Sequence, residues 1–152
     1  MVEHLLPTTS AFLEADVAAR IAHIRAPRWI GHPGASAAHV AMQQLLERPS
    51  SLRPRGLLLA GPYHNGKTMI AERFAVEHLR RVDRQRVWVI QTREGAGLSH
   101  FYASILSGLR APQAAGWRSL SRASEQVDHL LDSLKPRLLI FDEFHSALRG
   151  RR

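Results

Sequence analysis

The sequence contains no cysteine, so disulfides and thiolate metal sites are excluded. It has no apolar run near the roughly 20 residues that cross a bilayer. Its first residues, Met1-Val2-Glu3-His4, have no basic stretch leading into an apolar one, as a secretory signal would. These absences lead to the expectation of a cytoplasmic protein without membrane contact. Lysine is nearly missing: Lys67 and Lys135 are the two lysines among 21 basic residues. Acidic side chains are also few, 13 in all, which leaves a net charge of +8. At 152 residues the chain is expected to form one domain with a real core.

The excess of arginine has two readings. Its planar fork suits phosphate, so the charge points to a nucleic-acid partner. A compositional bias replacing lysine by arginine explains the ratio of the two but not the surplus of positive charge.

Along the chain, residues 1–8 read as a loose tail closed by Pro7. Thr9 or Ser10 could cap a helix to about Arg25, with Phe12, Leu13, Val17, Ile21 and Ile24 at helical spacing and Pro27 as the stop. A second helix is predicted over 36–47, ended by Pro49, with a loop over 50–55. The pattern then changes to short apolar runs at 56–60, 87–90 and 137–141, expected as strands buried on both faces. Helices are predicted over 67–80, 99–109 and 121–134, with a Pro/Gly-containing turn region before the last. Strands alternating with helices imply an α/β fold with a parallel sheet covered on both faces.

Gly61-Pro62-Tyr63-His64-Asn65-Gly66-Lys67-Thr68 matches the phosphate-binding loop pattern G-x-x-x-x-G-K-[ST] without a mismatch. It sits where the chemistry requires it, after an apolar run and before an amphipathic helix. Backbone N–H groups and the helix N-terminus can face phosphate, Lys67 can neutralise charge, and the Thr68 hydroxyl can ligate Mg²⁺. A chance match occurs about once in a few hundred chains of this length. A second motif lowers that chance: the apolar run 138–141 ends in Asp142-Glu143, at the strand end where α/β ligands bind. Asp142 is placed to hold Mg²⁺, and Glu143 to polarise water as general base. By itself the pair could equally be a helix start or a surface turn. Together the motifs make a site for a nucleoside triphosphate with magnesium.

The P-loop, the apolar strand ending in Asp-Glu about 75 residues later, and Trp29-Ile30-Gly31 followed by a helix resemble the AAA+ ATPases. In that family the upstream segment contacts adenine; the alternative is that Trp29 and Ile30 simply pack under the sheet. More narrowly, the chain is similar to the TniB family of transposition ATPases, related to TnsC and MuB. The similarity rests on IAHIRAPRWIGHP at 21–33, RGLLLAG at 55–61, NGKTMIAERF at 65–74, FYASIL at 101–106 and LIFDEFH at 139–145. It implies a three-layer P-loop NTPase sheet of AAA+ type, with residues 1–52 as an N-terminal helical extension and 53–152 as a partial ATPase core. It also implies ATP and Mg²⁺ as ligands, double-stranded DNA and a DDE transposase as partners, and self-association through the AAA+ interface. Tyr63 and His64 depart from the family in being bulkier than a small polar pair.

The resemblance further implies a sensor strand, another strand, an arginine finger and a helical lid, for which residues 144–152 leave no room. In the implied sheet order a fourth strand lies between the P-loop strand and the Asp-Glu strand. The expectation is therefore an incomplete sheet, truncated after the acidic pair, with impaired hydrolysis. The alternatives are a non-enzymatic remnant that binds nucleotide or a partner, and another AAA+ DNA ATPase such as a replication loader. Among other residues, His145 could sense the γ-phosphate or face solvent. Arg80, Arg81, Arg84 and Arg86 could complement a helix dipole or touch phosphate backbone. The nine histidines form no metal-binding pattern.

Overall fold

Polypeptide contacts divide the chain into two units, Met1–His32 and Pro33–Arg152. The computed structural model describes residues 6–26, 28–49, 53–81, 86–95, 97–111 and 119–148. The loop at 50–52, most of the turn region at 112–118, Pro27 and Arg84 lie outside the described residues.

In the N-terminal unit the single helix expected up to Arg25 is two helices, α1 (Pro7–Ser10) and α2 (Val17–Arg25). Pro7 opens α1 instead of closing a tail, because its missing N–H costs nothing in a first turn. The break comes from Asp16, whose extended backbone and side-chain bond from Ala19 N–H at 2.7 Å make it the N-cap of α2. The Phe12 and His23 rings stack at 3.8 Å. Val17, Ile21 and Ile24, at helical spacing in the sequence, are exposed.

In the C-terminal unit, α3 (Pro33–Glu47) begins at a proline and packs against α4 (Lys67–Arg81). Ala35, Ala38 and Met42 of α3 and Ile70, Ala71 and Phe74 of α4 are buried. The two strands, β1 (Val87–Gln91) and β2 (Leu138–Asp142), pair in parallel with Val87 opposite Leu138 and Gln91 opposite Asp142. Parallel neighbours need a crossover. It is supplied by α5 (Leu98–Gly108) and α6 (Leu120–Leu134), and a short α7 (His145–Leu148) follows β2.

Trp88 and Ile90, two residues apart and so on one face of β1, join Ile105, Leu106, Leu109 and Val127 in the main core. Gly108 permits this approach: a Cβ there would lie 2.9 Å from Ile90 Cγ1. Ser104 is buried, with its hydroxyl donating to the His100 carbonyl at 2.8 Å and accepting from Arg93 N–H at 2.9 Å.

The sheet departs from expectation in two ways. Residues 56–60, expected as a buried strand, have no strand pairing among the described residues, and Leu58 is 84% exposed. β1 and β2 pair with each other, so among the described residues no strand flanks 56–60 to supply a ladder. For the same reason β2 is half-buried along its length instead of buried on both faces. The fold is mixed α/β with a small parallel sheet, and the full three-layer sheet is not formed among the described residues. Among them, no helix is long and apolar enough to cross a membrane.

Candidate nucleotide site

The C-terminal ends of the sheet carry the candidate chemistry. Gly61 to Gly66 form a turn, and α4 starts at Lys67, so Lys67 and Thr68 stand in its first turn. Gly66 takes φ +74°, where a side chain would be strained, and its carbonyl accepts from Ile70 N–H at 2.9 Å. The other left-handed residue of the loop is His64 at φ +59°; Gly61 has no such conformation. A Cβ on Gly61 would meet Asn65 Nδ2 at 3.5 Å, an ordinary contact. Tyr63 and His64 are exposed, so their bulk does not fill the loop, and Pro62 and Asn65 are exposed as well.

Lys67 Nζ donates to the carbonyl oxygens of Gly61 at 3.1 Å and Pro62 at 2.7 Å. The ammonium is thus folded across the loop and held, among the described residues, by neutral acceptors, which an anion can outcompete. Thr68 Oγ1 donates to Asp142 Oδ2 at 2.8 Å, so two motifs 74 positions apart meet in a partly buried contact. Asp142 is also fixed from its backbone, since its carbonyl accepts from Thr92 N–H at 3.0 Å. Its second carboxylate oxygen accepts from Glu143 N–H at 2.9 Å.

Glu143 leaves the strand with φ +53°. This left-handed turn redirects the chain into α7, whose Ser146 N–H donates to the Glu143 carbonyl at 2.9 Å. His145 Nδ1 lies 3.2 Å from Glu143 Oε2, and both side chains are partly exposed. Trp29, Ile30 and Gly31 belong to the N-terminal unit, where the Trp29 indole nitrogen lies beside Gly31 and Ile30 is exposed.

A hydroxyl and a carboxylate oxygen in contact are hard donors of the kind Mg²⁺ takes, and Mg²⁺ keeps waters and phosphate oxygens for its remaining positions. Thr68 and Asp142 fit that ion. No group of three or more His, Cys, Asp or Glu side chains able to hold a metal occurs among the described residues.

Sequence reasoning did not single out Thr92. It is 4% exposed just after β1, with its N–H on Asp142 and a hydroxyl that has no hydrogen-bond partner among the described residues. Only the register of β1 on β2 places it beside the acidic pair, so no local signal could have found it. Of the arginine cluster, Arg86 is exposed where β1 begins, and its carbonyl accepts from Arg137 and Leu138 N–H.

A family model described as "Bacterial TniB protein" matches residues 20–152. Among curated proteins, none matches the chain.

Proposed function

The chain belongs to the bacterial TniB family, and from that premise we propose that it binds ATP with Mg²⁺ at Gly61–Thr68, Asp142 and Glu143 as the nucleotide-dependent, DNA-binding component of a transposition system. The observation that carries this reading is the 2.8 Å contact between Thr68 and Asp142.

Each residue has a definite task. The loop N–H groups and the α4 N-terminus face the phosphates, and Lys67 exchanges the Gly61 and Pro62 carbonyls for phosphate oxygens. Thr68 and Asp142 hold Mg²⁺, which when bound offsets phosphate charge. Glu143 orients water for attack, and moves from His145 toward the phosphates to do so. Trp29, Ile30 and Gly31 take the adenine side. In the larger architecture, residues 1–52 are a helical extension and 53–152 carry the P-loop core of a wider AAA+-type parallel sheet. Duplex DNA, a DDE transposase and further copies of the chain are its partners.

A second reading, nucleotide binding without turnover, is favoured by one observation. Residues 56–60, which lead into the loop, have no strand pairing among the described residues. Phosphate release and ATP binding measured on wild type, Lys67→Ala and Glu143→Gln separate the two. Release lost in Glu143→Gln with binding kept supports the enzyme. Binding kept, with the same background release in wild type and Glu143→Gln, leaves a binder, and binding unaffected by Lys67→Ala rejects the site altogether.

A further inference from the structure

Two residues beyond the proposed general base, the imidazole of His145 places Nδ1 3.2 Å from Glu143 Oε2. We propose that His145 is a positioning residue: it latches the Glu143 carboxylate in the nucleotide-free chain and yields it to water when ATP·Mg²⁺ enters. The inference rests on the proposed nucleotide-binding function and adds to it a control on the general base.

The contact needs an unusual backbone. Residues two apart do not face each other on a helix, and along a strand they stand about 7 Å apart. Glu143 takes φ +53°, which ends the strand and folds the chain back on itself. Ser146 N–H on the Glu143 carbonyl at 2.9 Å and Ala147 N–H on the Phe144 carbonyl at 3.1 Å close the turn. Between the two partners, the Phe144 ring packs on Phe101 of α5 and on Phe141, with centroids 5.9 and 6.0 Å away. The Glu143 N–H is itself fixed on Asp142 Oδ1 at 2.9 Å. With the backbone held on both sides, the Glu143 carboxylate repositions by side-chain rotation.

A carboxylate oxygen only accepts hydrogen bonds, and a bare nitrogen lone pair facing it at 3.2 Å would be repelled. The proton of the neutral ring therefore sits on Nδ1, although a free imidazole side chain favours Nε2. Which ring nitrogen carries the proton is set by such a partner, so the latch is written in the tautomer. While Oε2 faces Nδ1–H it is not available to an attacking water, so the contact competes with general-base work. Both side chains are partly exposed, and ion pairs of that kind are weak enough for a bound ligand to open.

The neighbouring bonds give the opening a route. The Asp142 oxygens are engaged by Thr68 Oγ1 and by Glu143 N–H. Any shift of the Asp142 carboxylate toward Mg²⁺ thus reaches the turn at Glu143 directly, one bond from the latched side chain.

The test is long-range ¹H–¹⁵N NMR of the imidazoles in the full 152-residue chain at about pH 8.5, above the ordinary histidine range. The His145 signals are assigned by their loss in His145→Asn. In nucleotide-free wild type the proton is expected on Nδ1, and in Glu143→Ala on Nε2. A saturating non-hydrolysable ATP analogue with Mg²⁺ should move wild type to Nε2 as well, with analogue binding followed by calorimetry on the same sample. In single-turnover phosphate release, His145→Ala should be faster than wild type by roughly two- to fivefold, the range an exposed pair supplies, at unchanged ATP affinity. His145→Asn, whose amide N–H can take the place of Nδ1–H, should stay near wild type. Nε2 protonation in nucleotide-free wild type, the same tautomer in Glu143→Ala, or analogue bound with the tautomer unmoved overturns the latch. Release in His145→Ala equal to or slower than a measurable wild-type rate overturns it too. Analogue bound with background release in every variant overturns the enzyme reading and, with it, the latch. No analogue binding to wild type overturns the nucleotide reading, which the tautomer comparison with Glu143→Ala separates from failure of the contact itself.

Discussion

Thr68 Oγ1 donates to Asp142 Oδ2 at 2.8 Å, joining the first turn of α4 to the last residue of β2. The contact serves as a structural tie and sets two oxygen donors side by side. Replacing Thr68 by valine keeps the shape and removes the hydroxyl. The expected cost is about 1.5–3 kcal/mol of stability, from one hydrogen bond to a charged acceptor, read from denaturant midpoints. Mg²⁺ should then enhance ATP binding far less than in wild type, while Thr68→Ser keeps the enhancement. Equal Mg²⁺ enhancement in Thr68→Val and wild type would separate this pair from metal binding.

Gly108 faces Ile90, the fully buried centre of the main core. A methyl at Gly108 must displace a branched side chain that has no free space around it. Gly108→Ala is expected to destabilise the chain by about 1–3 kcal/mol despite alanine's better helix propensity. Ile90→Ala removes both γ-carbons that the methyl would meet, so the double variant should lose less than the sum of the two single losses. Thermal unfolding of the single and double variants checks both statements.

Ser104 joins α5 to the segment after β1 through Arg93 N–H. Ser104→Ala leaves that N–H without its acceptor and should cost about 1–3 kcal/mol. Hydrogen exchange at Arg93 N–H gives a residue-level check, with faster exchange expected in the variant.

What could be read from the sequence follows from the range of each interaction. The four longer helices of the C-terminal unit and both strands are set by local apolar periodicity, and they fall within a residue or a few of their expected bounds. Residues 56–60 carry the same apolar signal as β2, yet a strand also needs a neighbour, and that condition is not written in five residues. The split before α2 was missed because Asp16 competes as a cap with the apolar spacing around it. At the site, each motif is a local pattern in the sequence, and the structure brings Thr68 of one to Asp142 of the other. The approach of His145 to Glu143 and the burial of Thr92 beside Asp142 were not legible. The first depends on the left-handed turn at Glu143, and the second on the register of β1 with β2.

The account's central claim is that the loop binds ATP with Mg²⁺, and calorimetric titration tests it most directly. Wild type and Lys67→Ala are titrated with ATP, each with Mg²⁺ and with chelator. Among the described residues Lys67 donates to the neutral Gly61 and Pro62 carbonyls, acceptors that a phosphate can replace. The predicted result is saturable one-to-one binding to wild type with Mg²⁺, weaker by about tenfold or more in Lys67→Ala, a loss of at least ~1.4 kcal/mol. The chelator should weaken binding to wild type too. Equal affinity in wild type and Lys67→Ala, or no saturable binding to wild type, would contradict the claim.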